Sequence, residues 1–462
     1  VSGTAPSAIV VGAGLAGLTC AYRLQERGWQ VTVLEAADRI GGRVLTERRD
    51  GHVYDLGPTL VSDKYTEYLK LVDDLGLADR VVPSSTLVGV VSGGPGSSSG
   101  PDYTLHVLDT AKPLRSFART KVLTTKAKLK LVAKGLNLLR PLHKLNPYEL
   151  SNKVHYDDES MQSYLDRVFG PELNESLLAA VARGVTLSTP REASVIEFFA
   201  GAAAATGRMI SLTGSLDTLT EALAGALDVR LNTPVVEVIR SGSGVVVRTT
   251  TDEEQADACV ITTPFADAAT LYPTLKEAGS ELLSATHYTG CYTLQLRYDR
   301  RPPPEREPYI VMVPKSASAE VAAVFLEHVK APDRAPAGQS QFDLFFNLAD
   351  DPPDRGFAEW TDEELLETGR RFVEQLYPEL AGSFLGSNLY RWSYAAHKGN
   401  VGYYAALDTF LRSHPGDDPV QVAGDWMSVA GQESAVVAGV KAAERVAGQA
   451  ASASAGGNSG GR

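Results

Sequence analysis

"AIVVGAGLAGLTCAYRLQERGWQVTVLEAADRIGGRVLT", residues 8 to 46, decides the fold. Ala8 to Val11 make an apolar run of strand length; Gly12, Gly14 and Gly17 punctuate the next turn, and Leu15 and Ala16 open an amphipathic helix. A second apolar strand then ends at Glu35. Gly12 permits the tight bend, Gly14 lets backbone N–H groups approach a pyrophosphate at a helix N-terminus, and Gly17 allows helix and strand to pack closely. The Glu35 carboxylate can accept both hydroxyls of a ribose. A lone G-x-G-x-x-G is a weak signal, but strand, turn, helix, strand and acid in that order predict a Rossmann-type dinucleotide site.

The residues after Glu35 choose among dinucleotides. Arg39, Gly41, Gly42 and Arg43 follow at once, and "YDLGPTLV" places Gly57, Pro58, Thr59 and Leu60 shortly after. A nicotinamide enzyme has no need of this second glycine cluster, whereas an extended FAD needs further backbone donors and an Arg over its pyrophosphate. The pattern resembles the flavin amine oxidase superfamily, which includes monoamine oxidases, protoporphyrinogen oxidases and carotenoid desaturases. "VQVAGDWMSVAGQESAVVAGVKAAERVA", residues 420 to 447, is similar to that superfamily's closing motif. The resemblance implies that Gly424 and Asp425 end a strand at the ribityl or pyrophosphate region and that a helix begins near Glu433. It further implies that Ser434 and Ala435 face the flavin N1–O2 edge and that the backbone of Val235 lies near the adenine.

Composition is that of a globular enzyme. The 462 residues are 44% hydrophobic and 22% charged, enough for two or three domains with large cores. A net charge of −12 argues against general nucleic-acid binding. Cys20, Cys259 and Cys291 lie far apart in apolar runs and read as buried thiols, no Cys/His metal spacing emerges, and "VSGTAPS" is too short and polar for a signal peptide. These features together predict a cytoplasmic protein.

The segment order predicts an α/β fold in two discontinuous domains. Residues 1–80, 206–275 and 395–447 are assigned to a Rossmann-type FAD domain; 81–205 and 276–394 to an α+β substrate domain of helices and a mixed sheet; and 448–462 to a flexible tail. Residues 230 to 264 read as a strand, a hairpin turn at Ser241 to Gly244, a second strand and a further buried strand.

Residues 157 to 195 and the "DLGPTL" run resemble the protoporphyrinogen oxidase branch more than the simple amine oxidases. Two departures from amine oxidases point the same way: Thr293 falls where they keep a Lys, and Gly431 where they keep a second cage Tyr. Tyr403 and Tyr404 are left for one wall of a cage, with His397 on a nearby loop as a candidate base and Trp426 packing on either the flavin or the sheet. The tethering Cys of monoamine oxidases would fall near Val401 or Gly402, so FAD is expected to be non-covalent. The expected activity is FAD-dependent removal of a hydride from a hydrophobic cyclic or conjugated small molecule. The alternatives are an amine or amino-acid oxidase with an altered cage, or a redox-neutral flavoprotein isomerase or FAD-binding module.

One stretch departs from the acidic background. Residues 110 to 148 contain ten Lys and Arg (Lys112, Arg115, Arg119, Lys121, Lys126, Lys128, Lys130, Lys134, Arg140 and Lys144) and no Asp or Glu. A solvated helix, attraction of a carboxylate-bearing substrate and peripheral contact with an anionic membrane are all open to it.

Overall fold

The computed structural model describes residues 5–95, 100, 102–143, 146, 148, 154–204, 207–350 and 355–457. A parallel sheet lies at its centre, with strands in the order Asp228–Arg230, Gln30–Leu34, Ser7–Val11, Ala258–Ile261, Val420–Val422. Its strands come from three distant parts of the chain. Period-2 alternation sends Ala8, Val10, Ala258 and Val260 to one face, against helices Leu15–Gln25 and Gln432–Gly457. Ile9, Val11, Cys259 and Ile261 go to the other, against Phe265, Phe410 and Trp426. The hairpin at residues 241 to 244 joins strands Val235–Ser241 and Gly244–Thr249, and Glu253–Ala256 completes a three-stranded antiparallel sheet.

The second body is a seven-stranded sheet ordered Phe384–Lys398, His287–Tyr298, Ser340–Asn347, Ala323–Leu326, Ile310–Met312, Leu87–Ser92, Thr104–Asp109. Leu294, Leu296, Phe342 and Leu344 turn one face toward helix Asp362–Leu376, which starts from a capping box between Thr361 and Glu364. The opposite face carries Cys291, Thr293 and Gln295 toward the parallel sheet's loops.

Two boundaries differ from expectation. Strand Phe384–Lys398 runs through residue 395, so that division falls inside one continuous ladder with His287–Tyr298. Helix Gln432–Gly457 carries the chain into the segment expected to be a flexible tail, because an alanine-rich run favours helix even with little to bury. Residues 458–462 and Lys144 lie outside the described residues, and so does the side chain of Arg140. Among the described residues, no helix is long and apolar enough to cross a membrane and no His/Cys/Asp/Glu group could hold a metal.

Candidate functional site

At the C-terminal edge of the parallel sheet the glycine turn and the second glycine cluster meet. Gly41 N–H donates to the Ala13 carbonyl at 2.8 Å, and Gly41 bridges Gly14. A Cβ on Gly17 would run into the Gly12 carbonyl, whereas one on Gly14 would meet nothing within 4 Å. One glycine therefore serves packing and the other leaves room for a ligand. Glu35 is held at the strand end by accepting Ala13 N–H at 2.7 Å and Ala37 N–H at 2.9 Å. A carboxylate has about four acceptor positions, so capacity for two ribose hydroxyls remains. Thr233 N–H donates to the Glu35 carbonyl at 2.8 Å, which brings the chain leading into Val235 alongside. Arg39 turns onto its own loop and donates to the Gly42 carbonyl at 2.8 Å.

Arg43 and Asp425, 382 residues apart, form a bidentate pair at 2.9 and 2.6 Å. Burial alone would push the Asp425 carboxyl up, but the Arg43 guanidinium outweighs it and holds the carboxyl below its ordinary value. The Gly57–Leu60 loop is tied from both sides. Trp392 Nε1 donates to the Leu56 carbonyl at 2.7 Å and Gln432 Nε2 to the Leu60 carbonyl at 3.2 Å. Only glycine fits at position 57, because a Cβ there would run into the Arg43 carbonyl. Thr59 is buried beside Pro58.

The closing motif divides its labour. Glu433 turns to helix Thr66–Asp74 and accepts Glu67 N–H at 2.9 Å, Tyr68 N–H at 2.8 Å and the Thr66 hydroxyl at 3.3 Å. It is that helix's N-terminal cap, delivered from the far end of the chain. The Ser434 hydroxyl donates to the Val429 carbonyl, and Ala435 N–H to Gly431 at 3.2 Å. Gly424 and Asp425 follow strand Val420–Val422, as the motif implied.

Above these loops lies the second sheet. Register pairs Thr293 with Tyr390 on one side and Phe345 on the other, and Cys291 with Trp392, so these side chains share a face. The wall continues through Phe325, Met312 and Ile310; Leu60 from the glycine loops, Ala430 from the closing motif and Ala395 from strand Phe384–Lys398 pack against it. Tyr390 and Trp392, 4.8 Å apart, are functional candidates that the sequence reading missed. Alternation of aromatics in "LYRWSY" was the signal available. Thr293 is buried, with its hydroxyl 3.5 Å from the Tyr390 carbonyl. Gly431 borders open space: a Cβ there would have the Tyr65 hydroxyl as its nearest neighbour, at 3.9 Å.

Tyr403 and Tyr404 lie outside this wall, in the core beside the parallel sheet with Ile261, Phe265 and Trp426. Both are covered by protein to 1% exposure or less, with the Tyr403 hydroxyl donating to the Trp426 carbonyl at 2.5 Å and that of Tyr404 to Glu197. His397 stacks on Tyr403 at 5.4 Å, and burial pushes its pKa down. Trp426 packs on Phe265 at 4.9 Å and donates to the Thr263 carbonyl at 3.2 Å, so it belongs to the sheet's core. The three cysteines are free and buried; desolvation pushes the Cys20 thiol up to about 12.

A family model described as flavin containing amine oxidoreductase matches residues 15–447. The chain is 29% identical over 194 residues to protoporphyrinogen oxidase 2 of Arabidopsis thaliana, which is 41% of this chain and 34% of the plant protein. It is 27% identical over 260 residues to flavin-containing amine oxidase B of Sus scrofa, covering 53% and 47% of the two chains. The sequence match thus spans about a third to a half of these relatives. The fold matches cyclohexylamine oxidase from Brevibacterium oxydans with a TM-score of 0.77 at 19% identity, over 97% of this chain and 100% of the other.

Proposed function

Because the chain belongs to the flavin-containing amine oxidoreductase family, we propose that it binds FAD without a covalent link and removes a hydride from a C–H bond of an apolar, cyclic or conjugated small molecule. The observation that carries the substrate class is the apolar face above the glycine loops, where Phe345 pairs with Thr293 and Phe325, Met312 and Ile310 extend the same cluster across the next strands. Such a surface favours an apolar face over a small charged amine, since a buried ammonium without a partner is costly.

The residues present suit the cofactor. Gly14 leaves space beside a helix N-terminus, Glu35 retains acceptor capacity, and the Arg43–Asp425 pair can share its hydrogen bonds with a pyrophosphate or ribityl chain. FAD, when bound, supplies the hydride acceptor. The chain's contribution is position. The tied Gly57–Leu60 loop and the Trp392 indole give a rigid edge, and the apolar wall excludes water and aligns the substrate by shape. His397, held neutral by burial, stacks on the Tyr403 ring. The burial of all three cysteines supports the non-covalent reading. Acid precipitation of purified protein is expected to release a yellow supernatant, and flavin retained on the pellet would refute the non-covalent reading.

The substrate reading is tested by following flavin bleaching without oxygen, and peroxide with it. Phenethylamine, benzylamine, putrescine and common amino acids are compared with a reduced porphyrinogen and a carotenoid precursor. Bleaching by the bulky substrates is expected to exceed that by small amines by at least 100-fold, since misplaced substrates forfeit orientation. Fast turnover of a simple amine would favour the second reading, an amine oxidase with an altered cage, which the similarity to the pig enzyme supports.

A further inference from the structure

The Arg43–Asp425 pair closes a path of side chains drawn from distant parts of the chain. Tyr288 on strand His287–Tyr298 and His397 on strand Phe384–Lys398 are cross-strand partners. The Arg43 guanidinium lies 5.8 Å from the centroid of the Tyr288 ring, and its Nη1 also donates to the Ala395 carbonyl at 3.4 Å. His397 meets Tyr288 edge-on at 6.4 Å and 75°, and stacks on Tyr403 at 5.4 Å and 26°. The Tyr403 hydroxyl, at the start of helix Tyr403–Ser413, donates to the Trp426 carbonyl at 2.5 Å. Trp426 follows Asp425 directly, so the path returns to the carboxylate that Arg43 holds at 2.9 and 2.6 Å.

Each link has a physical consequence for the pair. An aromatic ring beside a guanidinium stabilises its charge and restricts its plane. Asp425 and the Ala395 carbonyl leave part of the Arg43 donor fork free for a ligand oxygen. The Tyr288 hydroxyl is buried and has no hydrogen-bond partner among the described residues, so the ring is the part of Tyr288 that the pair meets. Burial pushes the His397 pKa down, which keeps that ring uncharged although the charges of Asp425 and Arg43 both reach it. Tyr404, next in the chain and as deeply buried as Tyr403, gives its hydroxyl to Glu197 instead.

We propose that Tyr288, His397 and Tyr403 are positioning residues for FAD: they act through Arg43 and Asp425, fixing the pair in one orientation to receive the cofactor's diphosphate or ribityl oxygens. A site held in its binding geometry beforehand loses less freedom when the ligand arrives. Two groups that the sequence offers for the substrate side, Tyr403 and His397, thereby serve the cofactor. The inference rests on the FAD reading above and is independent of which substrate the site takes.

The test dilutes the purified flavin-loaded chain stepwise and reads free FAD at equilibrium by its fluorescence, which gives the dissociation constant; circular dichroism gives the thermal midpoint. Tyr288→Leu removes the ring beside the guanidinium and should raise the constant at least about threefold, whereas Tyr288→Phe keeps the ring and should leave it within about twofold. Tyr403→Phe and Tyr404→Phe each remove one buried hydroxyl hydrogen bond, and both should lower the midpoint. Only Tyr403→Phe should raise the FAD constant, again at least about threefold. A role confined to packing would treat the two tyrosines alike. Equal FAD constants for Tyr403→Phe and Tyr404→Phe, or for Tyr288→Leu and Tyr288→Phe, would overturn the proposal and leave the FAD reading intact. If Tyr288→Leu does not fold, the tyrosine comparison decides alone. An unaltered chain that retains no FAD would overturn both readings.

Discussion

Replacing Arg334 by alanine is expected to cost about 3–5 kcal/mol of stability, the usual result of removing one member of a buried ion pair. Arg334 has no exposed surface; its Nη2 lies 2.9 Å from Asp55 Oδ2 and donates to the Ser211 hydroxyl at 3.0 Å. Burial works against its charge, and Asp55 and Glu327 more than offset that, so the guanidinium is held charged. Without it Asp55 is a buried carboxylate near Glu327 and Asp343, whose own carboxyls burial already pushes up. The hairpin of strands Thr46–Arg49 and His52–Asp55 would lose its tie to strand Met209–Leu212. Thermal unfolding followed by circular dichroism should show the midpoint lowered by roughly 3–5 °C. Arg334→Met combined with Asp55→Leu should recover most of the loss, because a volume-conserving apolar pair removes both charges together. A double variant as unstable as Arg334→Ala would mean that packing, and not the orphaned carboxylate, set the cost.

Local chemistry explains what could be read before the structure. The glycine turn, the strand ending in Glu35 and the hairpin at residues 241 to 244 are each specified by neighbours within about 30 residues, and each stands where its pattern indicates. The pairing of Arg43 with Asp425 was reachable only through the resemblance, since nothing in spacing joins residues 382 positions apart. Tyr403 and Tyr404 show the limit from the other side. Two adjacent tyrosines on a helix point about 100° apart, so they cannot both face one cavity, and which partner each finds depends on distant elements. Tyr403 finds the Trp426 carbonyl and Tyr404 finds Glu197. The N-terminus of their helix is capped by Asp157, which accepts Ala405 N–H at 2.9 Å across 248 residues. Glu433 likewise belongs to the closing motif in sequence and to another helix's cap in space.

Glu197→Gln is expected to stabilise the protein by roughly 3 kcal/mol at pH 8 and by only about 1 kcal/mol at pH 5. Glu197, on helix Val195–Ala204, is buried at 5% exposure and accepts the Tyr404 hydroxyl. Gly399 leaves no room beside it, as a Cβ there would run into both the carboxylate and the Tyr404 hydroxyl. Desolvation pushes the Glu197 carboxyl up to about 7; the Tyr404 hydrogen bond opposes the rise and the charge of Asp157 adds to it. A folded state that keeps its proton to higher pH than the unfolded chain is most stable below the unfolded pKa near 4.3, and loses that stability as pH climbs toward 7. A rise of this size corresponds to roughly 3 kcal/mol, all of it withheld by pH 8. Glutamine keeps the acceptor for Tyr404 and never ionises, so it removes the penalty while preserving the contact. Other buried carboxylates, Asp157 and Glu433 among them, also sit high, so the wild-type curve alone is ambiguous. The difference between wild-type and Glu197→Gln midpoints, measured from pH 5 to pH 8, isolates this group. A difference that is flat across that range would show that Glu197 ionises as freely in the folded chain as in the unfolded one.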